Sequence, residues 1–112
     1  MEIRFLEQER TLLIALSGEL DHHNSICARE RIDMKLSTGP YKKIIYLLSG
    51  LSFMDSSGIG LIANGCKTAA AVGAGVWVYT QNEKYLKMFQ LARLNELCHI
   101  IETEKELNTV WK

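Results

Sequence analysis

A chain of 112 residues fits one domain and can bury one modest core, whereas two cores would each be marginal. Its 47% apolar and 23% charged residues are those of an ordinary globular protein. The 13 Lys and Arg cancel the 13 Asp and Glu, and no block of five like charges stands out, so nothing draws the chain to nucleic acid or anionic lipid. No apolar run approaches the roughly 20 residues that span a bilayer, and Met1-Glu2-Ile3-Arg4-Phe5 lacks a signal peptide's apolar segment. The expectation is one domain over residues 1–112 in the cytoplasm, with no membrane insertion and no nucleic-acid partner.

Cys27, Cys66 and Cys98 are odd in number and widely spaced, which suits neither a disulfide framework nor a zinc site built on Cys-x-x-Cys pairs. All three read as reduced thiols in core or half-buried positions.

Ile3 and Phe5, then Leu12, Ile14 and Leu16, alternate on either side of the polar stretch Glu7 to Arg10, the pattern of a β-hairpin. The polar run from Ser17 to Ser25 breaks that pattern and offers caps for a helix reaching about Leu36, with Ala28, Ile32 and Leu36 as its core stripe. Ile26 and Met34 fall off the stripe and face outward. Ser37-Thr38-Gly39-Pro40 ends the helix. Ile44 to Leu48 is short and continuously apolar, as in a strand covered on both faces, and a second short apolar piece runs from Leu51 to Met54.

After Asp55-Ser56-Ser57-Gly58, residues Ile59, Ile62, Cys66, Ala69 and Ala70 share a helical face that ends near Gly73 to Gly75. Val76 to Tyr79 is a β-rich strand, and Asn82 can cap a third helix in which Leu86, Phe89 and Leu91 to Leu94 turn inward. Tyr85, Met88 and Phe89 read as core rather than as a partner surface. His99 to Ile101 is a short edge strand. Thr103 with Glu106 forms a capping box that opens a last helix with Leu107, Val110 and Trp111 on its apolar side. The order β-β-α-β-α-β-α-β-α makes an α/β fold whose mixed, mostly parallel sheet of about five strands packs against about four helices.

Two strand-to-helix turns concentrate polar residues. Asp55, Ser56 and Ser57 are all good N-cap types, and a serine there also sits exposed, where its hydroxyl can enter another protein's active site. Asp21, His22 and His23 either contact a partner or serve locally, Asp21 as a cap and the histidines as solvated loop residues. His22, His23 and Cys27 lack a third ligand at a recognisable spacing, so no metal is expected. An esterase elbow fails because Met54 stands where glycine is required, and Gly58-x-Gly60 is too short for a phosphate-binding signature and reads as close helix packing. Neither a catalytic residue nor a cofactor is expected.

Gly18-Glu19-Leu20-Asp21-His22-His23, the segment Leu51-Ser52-Phe53-Met54-Asp55-Ser56-Ser57-Gly58-Ile59-Gly60 and the order of elements together resemble the STAS domain, in particular the bacterial sporulation-type anti-sigma factor antagonists. The resemblance covers nearly the whole chain. It implies a substrate rather than an enzyme: an anti-sigma factor with serine kinase activity phosphorylates one serine, by position Ser56 and less readily Ser57, and a protein phosphatase restores it. The unmodified form binds the anti-sigma factor and releases the sigma factor, in sporulation or a stress response. Asp21, His22, His23, Asp55, Ser56, Ser57 and Gly58 are the implied partner contacts, with Ser57 as the helix cap. One departure is Leu47, where the family commonly has Asp or Asn near the end of the central strand, close to the acceptor turn. The alternative is a STAS interaction or scaffold subunit of a signalling or lipid-transport assembly, never phosphorylated.

Overall fold

The computed structural model describes residues 1–112. Strands β1 (Glu2–Gln8) and β2 (Thr11–Leu20) form the expected hairpin, closed by Glu9 and Arg10, with Glu9 in the left-handed region at φ 56°. Helix α1 (His22–Leu36) then carries the chain back to β3 (Lys43–Met54), α2 (Ser56–Ala71) to β4 (Gly75–Tyr79), and α3 (Glu83–Leu91) with a short 3-10 turn (Leu94–Glu96) to β5 (His99–Ile101). Helix α4 (Glu104–Trp111) closes the chain. The sheet runs β1-β2-β3-β4-β5, antiparallel between β1 and β2 and parallel elsewhere.

Three successive crossovers in one direction, all right-handed, place α1, α2 and α3 on the same face of the sheet. That face is the core: Leu12, Ile14 and Leu16 of β2, Ile44, Tyr46 and Leu48 of β3, and Val76 and Val78 of β4 pack against Ala28, Ile32, Ile62, Cys66, Ala69 and Phe89. The alternate residues Leu13, Ile45, Tyr79 and Ile101 are buried on the opposite face. There α4 lies near the N-terminal ends of the parallel strands, since Lys43 Nζ donates to the Val110 carbonyl and Gln8 Nε2 to that of Trp111. At the edge, Trp77 stacks on His99 with ring centroids 5.1 Å apart.

The apolar pieces before and after Ser49 belong to one strand rather than two. β3 keeps pairing with β2 through register shifts between Ala15 and Ser17 and between Gly18 and Glu19. In each, β3 spends one extra residue, as in a β-bulge. Gly50 sits where the strands crowd, since a Cβ there would lie 2.6 Å from that of Ser17. On α2, Ala70 is exposed and Leu61 and Gly65 are buried instead. Tyr46 explains Gly65, because a side chain there would strike its hydroxyl. Leu91 faces solvent beyond the end of α3's stripe, while Leu94 is buried. Cys27 is exposed, unlike Cys66 and Cys98, because it follows the off-stripe Ile26 on α1.

Candidate functional site

β2 and β3 are parallel neighbours, so their C-terminal ends finish on the same side of the sheet and deliver the starts of α1 and α2 side by side. Each helix begins with an aspartate in extended conformation. Asp21 accepts a hydrogen bond from the Asn24 amide at 2.8 Å and Asp55 one from the Ser57 amide at 2.9 Å. Both carboxylates lie against the positive ends of helix dipoles, where negative charge is stabilised. The cap of α2 is therefore Asp55 and not Ser57. Ser56 and Ser57 already have helical backbone, so only the preceding extended residue can fold its side chain back onto the first turn.

The turns are joined directly. The Asp55 amide donates to the Leu20 carbonyl at 3.4 Å, and His22 Nδ1 meets Ser57 Oγ at 3.3 Å across 35 residues of sequence. His22 and His23 are not loop residues, since α1 starts at His22. The His22 carbonyl accepts from the buried Ser25 hydroxyl at 2.8 Å. His23 is exposed. Gly58 packs under this junction, and a Cβ on it would lie 2.6 Å from Met54 Cγ and 2.9 Å from Leu20 Cδ2. Gly60 faces open space, so close packing accounts for only the first glycine of the pair.

Ser57 is half-buried and held at its amide by Asp55 and at its hydroxyl by His22. Ser56 is exposed, and none of the side-chain hydrogen bonds of this turn involves its hydroxyl. The structure thus brings Asp21, His22, Asp55, Ser56 and Ser57 into one surface, with Gly58 buried beneath it and the exposed His23 outside these contacts. A groove of about 420 Å³ extends it between the helices, lined by His22, Ile26, Arg29, Glu30, Ser57 and Leu61. Phe53, 43% exposed on β3 just before the turn, also belongs to this end of the molecule. Reading Leu51 to Met54 as one apolar piece hid it. The bulge after Leu51 puts Leu51 and Met54, three residues apart, both on the buried side and leaves Phe53 outward.

Leu47 lies within β3, paired with Ala15 and Tyr79. It alternates with the core residues Tyr46 and Leu48 and so points to the face away from α2. It therefore does not face the Asp-Ser-Ser-Gly turn at the start of that helix. No group of three or more His, Cys, Asp or Glu is placed to hold a metal ion, and no helix is long and apolar enough to cross a membrane. The strongest thiol perturbation is inside the core, where donation of its proton to Cys66 and burial both push the Cys98 thiol up.

This sheet, with its two helix starts meeting at one end, is that of a STAS domain. The STAS family profile matches residues 2–107, and the chain belongs to that family, within it to the anti-sigma factor antagonists of the SpoIIAA type. It is 38% identical over 84 residues to the anti-sigma F factor antagonist of Lysinibacillus sphaericus, covering 75% of this chain and 72% of the relative. With that of Paenibacillus polymyxa it shares 30% over 104 residues, 93% of this chain and 89% of the relative. Among solved structures it is similar to the anti-sigma factor antagonist SpoIIAA in its unphosphorylated form, with a TM-score of 0.80 at 31% identity over 95% of this chain and 92% of that one. The Bacillus cell fate determinant SpoIIAA in its phosphorylated form superposes with a TM-score of 0.77 at 29% identity, covering 99% of this chain and all of that one.

Proposed function

We propose that this chain is a phosphorylation-controlled antagonist in the cytoplasm. In its unmodified form it binds an anti-sigma factor with serine kinase activity and so frees a sigma factor. Phosphorylation of Ser56 by that kinase ends the binding, and a protein phosphatase reverses it. The observation that carries the reading is the exposed Ser56 at the start of α2, beside a neighbour whose amide and hydroxyl are both engaged. The existence of a similar protein in phosphorylated and unphosphorylated forms supports it.

The physical chemistry of the turn agrees with a switch that acts at an interface. A phosphoryl group adds about −1.5 to −2 charges. At the first position of α2 the helix dipole attracts that charge and the Asp55 carboxylate next to it repels it. A partner closing over the turn has to strip water from a dianion, which is costly. The fold itself needs no rearrangement, because the Ser56 side chain supports no other element.

The test is incubation with ATP and an anti-sigma F-type kinase, read by intact mass and peptide mapping, with binding measured for both forms. The expected outcome is one phosphate, absent from Ser56→Ala, and weaker binding of the modified chain. Tight binding with no phosphate on any residue would instead identify a scaffold subunit.

A further inference from the structure

We infer that His22 is a positioning residue that decides which of the two adjacent serines accepts the phosphoryl group; this rests on the reading of Ser56 given above. Ser56 and Ser57 carry identical hydroxyls on one helical turn, so discrimination between them has to come from their surroundings. His22 supplies the difference. Its Nδ1 lies 3.3 Å from Ser57 Oγ, and either ring tautomer holds that hydroxyl, a protonated Nδ1 donating to it and a bare one accepting from it. The backbone that carries the ring is held in place: α1 begins at His22 because Asp21 caps the helix, and the buried Ser25 hydroxyl ties down the His22 carbonyl. Ser56, one residue earlier on α2, is exposed and free of this contact.

In the transfer, the serine oxygen forms a bond to the γ-phosphorus of ATP while the bond from that phosphorus to the β,γ-bridging oxygen breaks. ADP leaves, and the hydroxyl proton passes to a basic group of the kinase. The Ser57 hydroxyl has to give up its His22 partner and leave the groove between α1 and α2 before it can enter such a geometry. The Ser56 hydroxyl has no bond to give up. His22 thus withholds one acceptor and thereby assigns the other, although the two residues it distinguishes are 34 and 35 positions away in the chain.

The experiment uses the full chain, ATP and an anti-sigma F-type kinase, with sites mapped by peptide mass spectrometry. Wild type is expected to carry phosphate on Ser56, and Ser56→Ala to lose nearly all of it. Adding His22→Ala to Ser56→Ala should raise modification of Ser57 by about fivefold, the scale set by one released hydrogen bond. Adding His22→Asn instead should keep it low, because the Asn amide occupies the place of Nδ1. A role in stability alone would lower total phosphate without moving it to Ser57. Should the double variant not fold by thermal unfolding, His22→Ala alone reads the same choice as a raised ratio of phosphate on Ser57 to that on Ser56. Wild type modified on Ser56 with no gain at Ser57 in any folded His22→Ala chain overturns this inference and spares the switch. No phosphate on wild type overturns both.

Discussion

Asp55 illustrates how much a single side chain contributes at this site. Its carboxylate caps α2 through the Ser57 amide and its own amide ties the turn to the Leu20 carbonyl at the end of β2. Replacing such a cap by alanine costs about 1 kcal/mol. Asp55→Ala should therefore lower Tm by roughly 4 °C, and a thermal melt with unchanged Tm would show that Ser56 or Ser57 can cap in its place. Three consecutive cap-forming residues made that choice illegible in the sequence, because each is chemically competent and only the backbone conformation distinguishes them. The His22–Ser57 contact was illegible for a different reason. Local spacing cannot report a pair 35 residues apart, although the expectation that both turns share one end of the fold follows from parallel pairing.

Among the elements, α1 is fastened at its two ends by different chemistry. At its start stand the Asp21 cap and His22. At its last turn, Lys35 Nζ lies 2.7 Å from Glu7 Oε1 of β1, Tyr41 donates to the same carboxylate, and the Lys35 ammonium stands 5.8 Å over the Phe5 ring. The hydrogen bonds from Lys35 and then Tyr41 hold the Glu7 carboxyl below its ordinary 4.5, and the bond to Glu7 raises Lys35 above 10.5. A carboxyl lowered in the folded state contributes stability that is present above about pH 4.5 and is lost as pH falls through the folded value; the raised Lys35 contributes below about pH 10.5 and loses it as pH rises. Urea midpoints should accordingly fall more steeply on the acid side in wild type than in Glu7→Gln, and parallel curves would remove the contribution. The effect is small because both groups are solvated.

The order of these elements was legible because period-two and helical patterns alternate cleanly between Gly, Pro and Asp punctuation. The bulged course of β3 was not. Its apolar residues continue across both register shifts, so alternation alone cannot tell which of Leu51, Phe53 and Met54 turns outward. The same limit applies at helix ends, where Ala70 and Leu91 continue an apolar pattern one step past the core.

For the whole molecule, placing three helices on one face of the sheet leaves their N-terminal ends on one side, and α1 exposes Ile26, at 53%, in the α1–α2 groove and Met34, at 73%, two turns further along the helix. Exposed apolar residues are common singly, but Ile26 adjoins His22 and Ser57 in one surface. If the partner closes over Ser56, it covers Ile26 as well. The double change Ile26→Glu with Met34→Glu should leave Tm within a degree or two, since neither side chain is in the core, and weaken partner binding by about fivefold or more, the loss of roughly 1 kcal/mol typical of a covered apolar contact. Unaltered affinity by titration calorimetry would confine the interface to the helix starts.

The bond between His22 and Ser57 and that between Leu20 and Asp55 mean that the Asp-Ser-Ser-Gly turn is a product of folding. A linear peptide over residues 50–62 contains every residue of the serine segment and none of the neighbours that shape it. During synthesis Ser56 leaves the ribosome before the β4 segment does, so a nascent chain displays the serine before the sheet that sets the turn is complete. Under the proposed switch, a kinase that reads the turn rather than the segment would act only on folded molecules, and a peptide over residues 50–62 would be a poor substrate beside the whole chain.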